Sequence, residues 1–298
     1  MKNLIVNIFK TLFFFDLAVI VIPILPEVNK KNPALDKFYA EAIVAGFMLL
    51  LTLVFFFLIE KRKLTVPIKK KPIRSFLWGL LSGLAVPGVI VALLATLKHL
   101  KFTGFKDNIT DYHYWILAIL FNAIASELLF RGYLLNLYRK YYGFTRSAII
   151  STALYLSLNF KLLEEDGILI ANIILLNILL CFLFEFSNSI ITTVTAHFTY
   201  ILASTFLLGS YPLTGGYPSV LGRTFAKKEF YVGAKYPLES SKLMLAVLCA
   251  VLLIFMIIKY RPITQLKKLI NFIKSIPDKW LDFKYRMKMR RKGLRVKR

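Results

Sequence analysis

The stretch Ser126-Glu127-Leu128-Leu129-Phe130-Arg131-Gly132-Tyr133-Leu134 places an acid and a base four residues apart inside an apolar segment that runs from Tyr112 to about Tyr138. A segment of that length is enough to cross about 30 Å of hydrocarbon. Charged groups at membrane depth cost roughly 2.5–3.5 kcal/mol each on insertion scales, so they mark a paired structural site or chemistry. At i,i+4 spacing Glu127 and Arg131 share one helical face, and Tyr138 extends that stripe. The structural alternative is a salt bridge that neutralises both charges and locks this helix to its neighbours.

The rest of the chain carries the same apolar character. Of 298 residues, 57% are hydrophobic and 15% aromatic, above the 45–50% apolar content of ordinary soluble domains. The 26 phenylalanines gather in runs such as Phe13-Phe14-Phe15 and Phe55-Phe56-Phe57. These features define an all-α polytopic membrane protein. About eight transmembrane helices are expected, at Leu4–Leu25, Phe38–Ile59, Ser75–Leu97, Tyr112–Tyr138, Arg146–Phe160, Ile168–Phe186, Ser189–Leu207 and Ser241–Ile258. Only Ser187-Asn188 separates the sixth from the seventh, which implies a tight helical hairpin. The first segment contains Lys10 and Asp16 and lacks a small-residue cleavage site, so it reads as a retained helix.

The formal charge of +24 does not point to nucleic acid, because it is concentrated in a few loops and the tail. The loop Glu60–Arg74 holds seven basic residues and the tail from Lys259 fifteen, against eleven in all the alternate loops together. The positive-inside rule then sets both termini in the cytoplasm of a multi-pass cell-membrane protein. Residues 1–258 read as the transmembrane domain and 259–298 as a basic cytoplasmic tail. In the tail Ile263, Leu266, Ile270 and Ile273 share a face, which suggests an interfacial helix drawn to anionic lipid at about 1 kcal/mol per charge. A solvated topogenic tail is the alternative. Cys181 and Cys249 read as small buried hydrophobes with no disulfide framework. The stretch Gly209–Glu239, with Gly215-Gly216 and two prolines, reads as an irregular loop on the outer face.

The motif around Glu127 resembles the first motif of the CAAX protease and bacteriocin-processing (CPBP, or Abi) family of intramembrane peptidases, usually Glu-Glu-x-x-x-Arg. Tyr155 and Asn159 fall where that family places Phe-x-x-x-His. Ala196-His197 falls where it places its last histidine, usually followed four residues later by Asn or Asp. The resemblance covers roughly Ser75 to Ile258 and implies a CAAX-protease-like helical bundle. It also implies a peptidase centre in which the first Glu and first His activate water, while the second Glu and last His polarise or orient the reacting groups. Glu127, Arg131 and His197 are the family positions retained here. Ser126 stands in place of the first Glu, Asn159 in place of the first His, and Ile201 in place of the late Asn or Asp.

Peptide hydrolysis needs a base for the water proton and an acid for the leaving amine, each worth on the order of 10²–10⁴-fold. Ser and Asn titrate far from neutrality and supply neither. The leading expectation is therefore a peptidase homologue with a degenerate centre that binds or regulates a membrane protein or peptide partner. The alternative is an active endopeptidase using Glu127 and His197 on lipidated or bacteriocin-like peptides. A serine nucleophile at Ser126 with His197 as base is a further route on paper. A transporter would use the same buried charges, but no internal repeat is evident. No cofactor is expected, and Glu127 with His197 gives too few ligands for a closed metal site. His99 and His113 read as solvent-facing near the outer boundary. Asp16, Glu41 and Glu185 read as acids near an interface or satisfied by a neighbouring helix. Asn172 and Asn177 read as hydrogen-bonding polar glue between helices, and Pro87 as a kink in the third segment.

Overall fold

The computed structural model describes residues 2–24, 31–61, 67–68, 71–106, 109–159, 166–210, 217–225, 229–233 and 236–260. The basic tail beyond Tyr260 lies outside the described residues. The chain divides into two units, Met1–Cys249 and Ala250–Arg298. The first is the helical bundle, and the described part of the second is the end of the last helix.

In chain order the bundle comprises α1 (Lys2–Ile24), α2 (Pro33–Val54) with a π-helical end Phe55–Ile59, and α3 (Pro72–Thr96). Strand β1 (Leu100–Phe105) precedes α4 (Tyr112–Glu127), a π-helical segment Leu128–Leu135 and α5 (Asn136–Leu158). Then come α6 (Gly167–Ser187), α7 (Ile190–Ile201) with a π-helical end Leu202–Leu207, β2 (Leu221–Phe225), α8 (Glu229–Val232) and α9 (Lys242–Tyr260). Five of the described helical stretches are long and apolar enough to cross a membrane. One of them, the 47-residue run Tyr112–Leu158, holds both the fourth and the fifth expected segments. Gly143, at φ 79° and ψ 172°, breaks it there, in a region glycine enters without the Cβ penalty. Beyond that break α5 folds back against the π-helical segment, with Phe130 and Tyr155 edge to face at 5.1 Å. The protein is thus a multi-pass helical membrane protein.

Helix α7 is positioned by α3. Ser75, Gly79 and Gly83 recur every four residues and all three are buried on α3. A Cβ on Gly79 would stand 2.6 Å from the Thr192 carbonyl, and one on Gly83 would overlap the Ala196 carbonyl and the Thr199 hydroxyl. Small residues at this spacing let two helical backbones approach closely in a bilayer, where van der Waals packing drives association. The α6–α7 hairpin forms as expected, with Asn188 in the left-handed conformation as its hinge.

At the end opposite the sheet, Phe14, Phe55 and Tyr133 stack in one cluster, with ring centroids 4.2–5.2 Å apart. Lys10 Nζ pairs there with Glu60 at 2.6 Å, and Thr11 donates to the Tyr138 hydroxyl at 2.9 Å. These contacts tie α1 to α2 and to the helix that carries the motif.

Two sequence readings are corrected. The stretch Gly209–Glu239 contains β2, which pairs antiparallel with β1, and the short α8. The strand partners lie more than a hundred residues apart, so no local signal joins them. Cys249 is exposed while Cys181 is buried, because Cys249 falls on the outward face of an apolar helix that has only one side packed. Neither cysteine is in a disulfide.

Candidate functional site

The motif helix changes hydrogen-bond register immediately after Glu127, where the π-helical segment Leu128–Leu135 begins. π-Helical turns recur at functional sites. Here Asn136 Nδ2 donates to the carbonyls of Arg131 (3.2 Å) and Gly132 (2.9 Å). Every residue of the π segment is buried.

Glu127 and Arg131 have no exposed surface, and His197 retains 4%. Arg131 Nη1 donates to Glu127 Oε1 at 3.1 Å, and His197 Nδ1 lies 3.0 Å from the same oxygen. Among the described residues Glu127 Oε2 has no donor in hydrogen-bonding geometry. The neighbouring Thr193 hydroxyl gives its proton to the Ile190 carbonyl at 3.1 Å. The second guanidinium nitrogen, Nη2, donates to the Asn177 backbone carbonyl at 2.9 Å and to the Asn177 side-chain oxygen. Asn177 Nδ2 in turn donates to Thr152 on α5 at 2.9 Å. One buried network thus joins α4, α5, α6 and α7. With the Glu127 carboxylate as acceptor, Nδ1 of His197 is the donor of this contact.

A cavity of about 330 Å³ adjoins this network. Ser126, Asn159 and His197 line it, as do Asn122, Tyr155 and Glu41. Glu127 and Arg131 are behind the wall. Asn159 caps α5 and turns its amide back to the Tyr155 carbonyl at 2.9 Å. Ile201 is fully buried, so the position where the resemblance calls for Asn or Asp gives the cavity nothing polar.

Glu41 is satisfied by a neighbouring helix, as expected from the sequence. Lys37 Nζ lies 3.1 Å from its Oε1, Asn122 Nδ2 donates to Oε2 at 3.1 Å, and the Tyr217 hydroxyl donates to Oε1 at 3.4 Å. Burial, followed by the Glu41 charge, holds the Tyr217 phenol well above its ordinary pKa, which keeps it a donor. Asn177 as the partner of Arg131, and Thr152 as the partner of Asn177, were absent from the sequence reading beyond the general role of Asn177 as polar glue. The Gly79-x-x-x-Gly83 spacing was the available signal for the α3–α7 contact. Glu185 meets Arg139 at 3.0 Å, a satisfied acid as expected, and Asp16 is exposed. His113 is exposed and His99 is partly covered, stacked on Tyr231 at 4.8 Å. Among the described residues no three His, Cys, Asp or Glu side chains group as metal ligands.

A buried carboxylate, guanidinium and imidazole thus meet on adjacent apolar helices beside a cavity. Residues 108–203, spanning α4 through α7, match the family model described as Type II CAAX prenyl endopeptidase Rce1-like. Across the helices that carry the site, the chain is thus similar to the CAAX protease family. Neither the curated proteins nor the solved structures gave a match.

Proposed function

We propose that this protein receives a peptide segment of a membrane-anchored partner in the cavity at Ser126, Asn159 and His197, and that its family catalytic centre is degenerate. The observation that carries this reading is the division of the site. The two positions assigned to water activation line the cavity as Ser126 and Asn159, while Glu127 is sealed behind the wall with Oε1 shared by Arg131 and His197. Ser, Asn and Asn122 amide or hydroxyl groups hydrogen-bond an extended peptide backbone but do not carry protons at neutral pH. The charges of the interhelical loops support an orientation with both termini in the cytoplasm of the cell membrane, and the basic tail supports contact with anionic lipid.

The second reading, cleavage of lipidated or bacteriocin-like peptides through Glu127 and His197, draws on their 3.0 Å contact. Complete burial of Glu127 counts against its reaching water. The test places a photo-crosslinking amino acid at Met48, which lines the cavity, in protein reconstituted with single-span peptides. Crosslinking above that from Leu81, an outward residue with 61% exposure, supports occupancy. Equal crosslinking from both positions refutes it. Fast cleavage that Glu127→Gln abolishes would overturn the degenerate centre.

A further inference from the structure

Glu41 is on α2, outside the stretch that matches the family, yet it lines the same cavity as Ser126, Asn159 and His197. Among the described residues of that lining it is the one carboxylate. Its position is held from α4: Asn122, which fixes Oε2 at 3.1 Å, precedes Ser126 by one helical turn, about 6 Å along the axis at 1.5 Å per residue. A carboxylate is thus presented from α2 to the same cavity, one turn of α4 away from the position where the resemblance calls for one. Its environment differs from that of Glu127. Glu41 keeps 8% exposure and Glu127 none, and only Glu41 touches the space a peptide and a water would share.

We infer that Glu41 is a catalytic carboxylate of this cavity, performing from α2 the water activation that Ser126 cannot perform from α4. The inference rests on the peptide occupancy proposed above. In the reaction Glu41 takes one proton from water as the water oxygen bonds to the carbonyl carbon, and the carbonyl π pair moves onto its oxygen. Collapse of that tetrahedral adduct breaks the C–N bond. The proton held by Glu41 goes to the departing nitrogen, which restores the carboxylate. Water is thereby divided between the new acid and the new amine with no other reactant. Lys37, 3.1 Å from Glu41, is the cation of the cavity wall and balances the carboxylate before proton transfer.

A purely structural role, tying α2 to α4, predicts a different outcome for a conservative change. Glu41→Gln keeps one oxygen, able to accept from Asn122 or from Tyr217, and cannot take a proton. The experiment uses the full chain in liposomes with a quenched fluorogenic single-span peptide. Slow hydrolysis by the wild-type protein is expected, with Glu41→Gln lowering its rate at least about 100-fold, in line with the loss of one positioned proton carrier. Adding Ser126→Glu to Glu41→Gln should recover part of the rate, since the carboxylate returns by the other helix. Hydrolysis by Glu41→Gln within twofold of wild type overturns the inference. So does a wild-type rate no higher than that of protein-free liposomes. Crosslinking from Met48, measured on the same preparations, separates the two ideas. If it persists, peptide occupancy stands and only the role of Glu41 fails; if it is lost, occupancy itself fails.

Discussion

Asn177 holds the Arg131 guanidinium on both its backbone carbonyl and its side-chain oxygen, so the cation is oriented from α6 as well as by Glu127 on its own helix. This geometry needs a planar group with several fixed donors, which arginine has and lysine lacks. The consequence is that the pair at the heart of the motif is a four-helix joint, in addition to whatever chemistry it serves.

Arg131→Met should destabilise the protein by roughly 3–5 kcal/mol, because it leaves the fully buried Glu127 carboxylate without its guanidinium partner and with only the His197 contact. Arg131→Lys should recover less than half of that loss. The combined change Glu127→Leu with Arg131→Met should be closer to wild type than the single change, since it removes both charges. Denaturant unfolding in detergent micelles reads all three, and a single variant no less stable than the double one would contradict the joint.

Gly83→Val should lower stability by about 1–3 kcal/mol or more through overpacking against α7. Gly88→Ala, on the same helix with nothing within 4 Å of the added carbon, should be neutral or stabilising by up to about 1 kcal/mol. Thermal melts of the two variants side by side check this. Equal effects would mean that α3 and α7 do not meet through Gly83.

Glu239 gives a pH dependence with a definite sign. It lies in the turn before α9, 1% exposed, accepting from Ser210 and from Tyr200 at 3.3 Å. Burial pushes its carboxyl up to about 8, against the pull of those hydroxyls and of Arg223. The folded state therefore binds the proton more tightly than the unfolded one, whose carboxyl titrates near 4.3. Stability from this group is fully present below about pH 4 and declines as pH rises toward 8, by up to about 1.4 kcal/mol per unit. Melts between pH 5.5 and 9 should fall with pH in the wild type and flatten in Glu239→Gln. An unchanged slope in the variant would assign the dependence elsewhere.

Asn172 anchors the same turn, donating to the carbonyls of Glu239 at 2.7 Å and Ser241 at 3.0 Å. Asn172→Leu leaves two buried carbonyls without that donor, each worth roughly 1–3 kcal/mol. Hydrogen exchange should speed up by at least tenfold over residues 238–245 while the motif helix keeps its protection. Uniform acceleration over the whole bundle would point to a global role.

The helices were legible in the sequence because their apolar lengths alone decide them, and the Glu127–Arg131 pair because i,i+4 spacing is a property of one helix. What escaped was non-local. The β1–β2 pairing joins segments separated by α4, α5, α6 and α7, and the role of Asn177 depends on how α6 docks. Glu41 looked like any satisfied acid, since its approach to Ser126 arises from the α2–α4 packing and leaves no trace in the spacing of α2. The exposure of Cys249 followed from which side of α9 is packed, and an evenly apolar helix does not announce that.

Ala18, Val19, Lys37, Ala40, Glu41, Val44 and Met48 give the cavity a wall built from α1 and α2, helices that precede the family-matching stretch. A fragment or graft limited to residues 108–203 would therefore present an open half-shell, with His197 and Ser126 turned toward lipid. Sorting such proteins by the motif-bearing helices alone would group them by half of their binding chamber, and the other half is where this one keeps the acid that lines it.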